Sequence, residues 1–576
     1  MRIPVVVAVG RLHLPGSRVP SAMASPQQDP GRANSQLIRP SFGPEADRRS
    51  VLDRAHRGDI EGALGTVRAF DTGPRTSWQR RLATLLAVMG PGVIVMVADN
   101  DAAGLSLYAQ AGQNEGFRLL WLLLLLAPVL FVNQEMVARL GAVTGAGHAR
   151  LIFERFGRRW GAFAIGDLLV LNVLTIVTEF IGVSLALDYF HVSRFVSVPL
   201  AALTLIAVTV TGSFRGWERA MYVAVAASVI AIPLAAITLS HATHSVSVQT
   251  VASTAHRLRT HGVLFIIALI GTTVAPWQLF LQQSNVVDKR VTSRWIRFER
   301  IDTAVGTGLF VLGSVAILAA CAAAFGGGPL SGAFVDAGHV ATGLRAAAGP
   351  WAGALFAIAL LNGSVLGAAA VTLATSYAIG DATGLRHSLH RSWRQATAFH
   401  GTFVALVVVA AAVVLLPSTP LGLITVMVNV LAGVLLPSAT VFLLLLCNDR
   451  EVLGPWTNPR WLNVLTSLIV TGLVVLSALL VLTTLFPGLP IPVIALVVAA
   501  AAAAGCATAV LLWSRRSPKQ DDADGGVAPQ TWTMPPLETL TRPRPSSGRL
   551  IGLVALRVYL IGAAALVIAK AVQLAA

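Results

Sequence analysis

Charge is scarce in this chain of 576 residues. Only 12% are Asp, Glu, Lys or Arg, about half of the ~25% usual in soluble domains, whereas 55% are hydrophobic. That deficit excludes the three or four soluble domains that length alone would suggest. Cysteine is equally sparse: Cys321, Cys447 and Cys506 show no CxxC spacing and lie in or at the edge of apolar runs. Neither a disulfide framework nor a thiolate zinc site is expected. HExxH and GxSxG are absent, and with them the common signatures of metallopeptidases and serine hydrolases. Acids are outnumbered, 27 against 43 Lys and Arg, for a formal net charge of +16. In a soluble protein that balance would point to nucleic acid. Here the basic residues fall between apolar spans, where topology accounts for them, and no nucleic-acid partner is expected.

What fills the chain instead is a series of apolar runs of about 20 residues, long enough at 1.5 Å per residue to cross a hydrocarbon core. Thirteen are expected, near 83–113, 117–140, 161–189, 195–212, 217–240, 261–285, 301–325, 352–379, 397–416, 421–446, 461–486, 490–513 and 550–574. Alternate loops differ in basic content. One set includes Arg155, Arg158, Arg159, Lys289, Arg290, Arg294, Arg297, Arg386, Arg391 and Arg394, while the other holds Arg118, Arg194, Arg257, Arg259 and Arg345. The rich side, and the N-terminus with it, is therefore expected in the cytoplasm, the chain being integral to the cytoplasmic membrane with lipid as its surroundings.

The expected organisation has five parts. Residues 1–80 form a cytoplasmic tail, rich in Pro, Ser and Arg, in which periodicity over 50–70 suggests a short peripheral helix. Residues 81–447 form a core of ten transmembrane helices, and 448–513 carry helices 11 and 12. A Pro-rich cytoplasmic linker over 514–549 leads to a last helix in 550–576.

Polar groups inside spans are costly in hydrocarbon and are functional candidates by default. In GPGVIVMVADNDAAGLSLYAQAG (90–112) an apolar helix is interrupted by Asp99, Asn100 and Asp101, followed by Ala102, Ala103 and Gly104. An acid beside small residues suggests a discontinuous helix, whose bare carbonyls and half-helix ends suit a hard cation. In VLFIIALIGTTVAPWQLFLQQSNVVDKR (263–290), Thr272, Thr273 and Pro276 mark a second break, with Gln278 and Gln282 following on one helical face. Interruptions of the first and sixth spans, equivalent positions in two five-span blocks, are the pattern of an inverted-repeat secondary transporter. Glu179, in the middle of the third span, is read as lining the pathway.

GPG at 90–92, the acidic break at 101–104, AQAG at 109–112 and APWQLFLQQS in the sixth span resemble the Nramp family of divalent-metal transporters, over roughly residues 80–450. The resemblance implies an all-α LeuT-type 5+5 inverted repeat with helices 1 and 6 broken, plus about three further C-terminal helices. It implies a divalent metal cation as substrate, with no cofactor. Carried over residue by residue, Asp101 matches the metal-binding Asp, next to Ala102, and the carbonyl of Thr272 matches a backbone ligand. Asn429 stands where the family has a coordinating Gln. Gly104 replaces an Asn ligand, Ala275 replaces the thioether Met before Pro276, and Trp277 and Gln282 replace His; Asn100 and Gln278 adjoin these positions. Glu179 is kept, but Ile176 stands where a proton-handling Asp is expected. A site without thioether or imidazole offers oxygen donors, which suit Mg²⁺ as well as Mn²⁺. In this respect the chain resembles the Nramp-related magnesium-transporter branch, and uniport is expected.

Two other readings compete. The same fold carries organic solutes such as amino acids, but Asp101 would repel a carboxylate. AIGD, present at 164–167 and 378–381, is similar to the aspartyl pair of an intramembrane hydrolase, but both copies fall near span ends. No enzyme activity is expected.

Overall fold

With no water in hydrocarbon to satisfy them, peptide groups must bond within their own segment, and this chain is accordingly helical wherever it is apolar. The computed structural model describes residues 54–241, 260–326, 330–417 and 421–485, apart from residue 72, and short stretches between 490 and 562. Seven helices among the described residues are individually long and apolar enough to cross a membrane. The first eleven expected spans all appear as single helices or as two or three helical pieces; those near 490–513 and 550–574 lie largely outside the described residues, as does most of the 514–549 linker.

The first span is divided into α1 (Trp78–Val88), α2 (Pro91–Ala98) and α3 (Ala102–Glu115). Spans 2 to 5 are α4 (Leu120–Thr144), α6 (Arg158–Asp188), α7 (Arg194–Thr209) and α8 (Phe214–Ala227), the last continued by α9 (Ala231–His241). A short α5 (His148–Phe156) precedes α6. The sixth span is again two pieces, α10 (Thr260–Thr273) and α11 (Pro276–Asp288). After it come α12 (Ile296–Phe325), a short α13 (Ala337–Ala348), α14 (Pro350–Thr383), α15 (Thr397–Leu415) and α16 (Leu421–Cys447), then α17 (Arg450–Leu453) and α18 (Arg460–Leu485). This is the LeuT-type arrangement of two five-span repeats, each opening with a broken helix.

α6 packs along α14, and α12 along both α2 and α3. Small residues let the backbones close: a Cβ on Gly92 would lie 2.7 Å from Thr303 N, and one on Gly306 would lie 2.8 Å from Val93 Cα. Polar side chains join helices where water cannot. Asn172 donates to Thr375 Oγ1 at 2.8 Å between α6 and α14, and Asn362 donates to Ser228 Oγ at 2.9 Å. Asp302, buried on α12, accepts from the amides of Gly90, Gly92 and Val93 at 3.0, 2.6 and 3.2 Å. An acid at the positive end of α2 favours that helix start, and it accounts for the Gly-Pro-Gly run. Gly90 takes φ 148° at a 51° bend between α1 and α2, Pro91 has no amide to satisfy, and Gly92 admits α12.

The peripheral helix expected over 50–70 is replaced by a single turn at Arg54–His56 and an antiparallel hairpin, β1 (Ile60–Gly62) and β2 (Gly65–Val67), with Gly62 opposite Gly65. The reason is tertiary. A Cβ on Gly62 would lie 2.2 Å from Ala87 O, so glycine lets this segment seat against α1. Docking then supplies bonds that a free helix would not make. Ala63 N donates to Glu218 at 2.5 Å, and Arg290 donates to Ala55 O and Asp59 O at 2.8 and 3.0 Å.

A second polar cluster joins the Arg54–His56 turn and the end of α11 to α14 and the loop after it. His387 Nε2 stands 3.0 Å from Asp381 Oδ1, His56 Nε2 stands 3.4 Å from Asp288 Oδ1, and Tyr377 and Ser388 donate to Asp288, each at 2.5 Å. Burial alone would lower the His387 pKa. The hydrogen bond and charge of Asp381, with the Leu385 carbonyl and Asp288, outweigh it and hold the imidazole above its ordinary value. A histidine raised on folding contributes stability below its unfolded pKa of about 6.5, and loses it as pH rises through the folded value. His387 should therefore add a downward slope to the thermal unfolding temperature of the detergent-solubilised protein between pH 6 and 8. His387→Gln should flatten that slope, and an unchanged slope would remove His387 as its origin.

Candidate functional site

The two broken spans face each other through their gaps. α2 ends at Ala98, Asp99 to Asp101 cross the first break, and Asp101 is the N-cap of α3, its Oδ1 accepting from Gly104 N at 2.7 Å. On the sixth span Val274 and Ala275 separate α10 from α11; Ala275 is the N-cap and Pro276 the first helical residue, where no amide is needed. Each break presents the carbonyl end of one half-helix, α2 or α10, and carbonyl ends favour positive charge.

The breaks are joined by side chains. Gln278 on α11 donates to Asp99 Oδ1, and also to Thr273 O at 3.3 Å, while its own Oε1 accepts from Gln134 Nε2 of α4 at 3.1 Å. Asn100 donates to Phe310 O on α12 at 3.2 Å. Ala102 N donates to Glu179 Oε2 at 3.0 Å, which seats the third span against the start of α3. Gly367 of α14 explains how Asp101 and Glu179 come together: a Cβ there would lie 2.7 Å from both Asp101 Cβ and Glu179 Oε2. The site is dry. Asp99 is 1% exposed, Asp101 5%, and Glu179 0%.

The other residues singled out from sequence are placed as follows. Thr272 is buried in the last turn of α10, Ala275 lies in the break, and Trp277 is buried in the first turn of α11. Gln282 turns to α12, donating to Thr303 Oγ1 at 2.9 Å. Gly104 sits in a tight spot that only a glycine fills: a Cβ there would lie 2.7 Å from Asp99 O and 3.3 Å from both Asp101 Oδ1 and Tyr108 Oη. The backbone of Asn429 is in α16, but its side chain lies outside the described residues. Asp167 and Asp381, candidates for an aspartyl pair, have separate partners: Ser438 bonds Asp167, and His387 bonds Asp381. What sequence reasoning missed is the pairing of Asp99 with Gln278 and the part of Gln134; two acids at one break, Asp99 and Asp101, were the available signal.

Among the described residues no three His, Cys, Asp or Glu side chains converge as a metal cage. No Lys or Arg among them forms an ion pair with Asp99, Asp101 or Glu179. Buried carboxylates without a cationic partner call for a proton or a bound cation. Carboxylate, amide and carbonyl oxygens are donors for a hard ion that keeps part of its water.

Known proteins agree with this architecture. The family described as Natural resistance-associated macrophage protein-like (Nramp) matches residues 92–483. A divalent metal cation transporter MntH from Burkholderia ambifaria is 30% identical over 336 residues, covering 56% of this chain and 73% of that protein. One from Verminephrobacter eiseniae is 27% identical over 446 residues, covering 74% and 95%. The solved structure of the Eremococcus coleocola manganese transporter, bound to an aromatic bis-isothiourea substituted compound, matches with a TM-score of 0.58 at 19% identity. The match covers 88% of this chain and 99% of that one, and shows the fold. This integral membrane chain, with both of its helix breaks inside the matched region, belongs to the Nramp family.

Proposed function

We propose that the chain moves divalent metal cations, Mg²⁺ and Mn²⁺, across the cytoplasmic membrane by alternating access, with its N-terminus in the cytoplasm. The observation that carries this reading is Asp101, a buried carboxylate at a helix break, opposite a second break and lacking a cationic side-chain partner among the described residues. Asp101, the carbonyls beside Ala102 and Thr272, and Asn429 supply oxygen ligands. Glu179, Asn100, Gln278 and Gln282 support the pathway around them, and Gly104, Ala275, Pro276 and Trp277 shape it. The tail over 1–80, the core over 81–447, helices 11 and 12 over 448–513, the linker over 514–549 and the last helix remain the proposed division of the chain. The metal is cargo and no cofactor or enzymatic step is invoked. An amino acid or similar anionic solute is disfavoured, because the break presents an acid.

Purified protein in liposomes tests the reading through Mg²⁺ and Mn²⁺ influx, each with and without a pH gradient. Two outcomes are specific to this sequence. Trp277 and Gln282 stand where histidines would, and Ile176 where an acid would, so metal entry should proceed without acidifying the lumen. Robust metal-driven acidification would point to Glu179 as a proton carrier instead. Ala275 offers no soft ligand, so Mg²⁺ and Mn²⁺ should compete at similar concentrations. Ala275→Met should then favour Mn²⁺ or Cd²⁺ over Mg²⁺, by roughly tenfold if the thioether is worth about 1.4 kcal/mol. A parent protein that carries Mn²⁺ and ignores millimolar Mg²⁺ would overturn the hard-cation assignment.

A further inference from the structure

The unused acid of the first break is Asp99. Its Oδ1 is held by the Gln278 amide, but its Oδ2 is buried with no hydrogen-bond partner. Gln278 in turn takes a bond from Gln134, whose Oε1 is also buried and unpartnered. The arrangement is directional. Every donated bond in the chain Gln134 to Gln278 to Asp99 is spent holding a side chain in place, and what remains open at the two outer members is oxygen. An acceptor left bare in the interior is costly, and more so when it carries charge. A network satisfied on one side only is a place to look for something that binds. The two open oxygens stand at the C-cap of α2 and on α4, and Gln278 of α11 links the residues that carry them.

We propose that Asp99 Oδ2 and Gln134 Oε1, positioned by Gln278, form a second divalent-cation subsite on the α2 side of Asp101. One carboxylate and one amide oxygen fill only part of the coordination shell of a hard ion, so an ion there retains several waters. That suits a stopping place through which a partly hydrated ion passes to or from the Asp101 ligands. It also explains why two acids share one break: together they offset the charge of a divalent ion that no Lys or Arg among the described residues opposes. The inference rests on the reading of Asp101 as a primary ligand.

Titration calorimetry of the full chain in detergent with MnCl₂, and Mg²⁺ uptake in liposomes, test the two assignments separately. The parent should bind two Mn²⁺ ions, and Asp99→Asn should bind one and show a KM for Mg²⁺ raised about tenfold. Asp101→Ala should also bind one while losing transport. Gln134→Met leaves the Asp99–Gln278 bond in place. It should weaken the second Mn²⁺ site several-fold with an unchanged elution volume, which keeps the test valid if Asp99→Asn misfolds. Parent-like stoichiometry and KM in folded Asp99→Asn would make Asp99 a protonated structural acid and overturn the subsite. Parent-like transport in Asp101→Ala would instead overturn the primary site.

Discussion

Asp101→Ala should abolish divalent-metal uptake in liposomes while leaving a folded protein. The side chain caps α3 by accepting from Gly104 N, and its loss removes an N-cap worth about 1 kcal/mol. A buried helix held by α12, α14 and α6 tolerates that. Function is affected more heavily, because a charged ligand contributes at least about 1.5–3 kcal/mol and each 1.4 kcal/mol is tenfold, so uptake should fall roughly 10- to 100-fold or more. Asp101→Asn separates charge from shape. It retains an oxygen that caps Gly104, and it should fold as the parent does yet transport nearly as poorly as the alanine variant. Parent-like uptake by either would place the ligand elsewhere.

Lys289→Met should produce the largest loss of stability of any single change considered. Lys289 and Glu218 pair at 2.5 Å with side chains 0% and 1% exposed, and the ammonium also holds Met89 O at the bend before α2. Glu218 Oε2 in turn takes the amide of Ala63 from the hairpin. Removing the cation leaves a buried carboxylate near two more, Glu299 and Asp302. Breaking such a pair costs about 3–5 kcal/mol, far more than the pair itself contributes, because the surviving charge is uncompensated. Glu218→Gln together with Lys289→Met should recover much of the loss. Thermal unfolding in detergent measures both, and a single variant as stable as the parent would show that the pair is solvated in the membrane-embedded protein.

Legibility in the sequence divided along a physical line. Span lengths, the two helix breaks and Asp101 as their acid were readable because each depends on a few consecutive residues: hydrophobic length, a proline, a carboxylate in an apolar run. The same local logic failed over 50–70. The periodicity there suggested a helix, but Gly62 and Gly65 let the segment fold back against Ala87, and Glu218, 155 residues from Ala63, completes the hairpin. Side-chain destinations were equally hidden. Gln278 and Gln282 share a helical face in sequence, yet one reaches Asp99, 179 residues away, and the other turns to Thr303. Nor did composition reveal that Asp302 would cap α2 across 212 residues, or that Gly367 would let Asp101 and Glu179 come together. By itself the sequence determined that this chain spans a membrane with two interrupted helices and an acid at the first. Only the tertiary structure decided which polar groups meet inside it, because partner choice there depends on how distant helices cross, and no local periodicity encodes that.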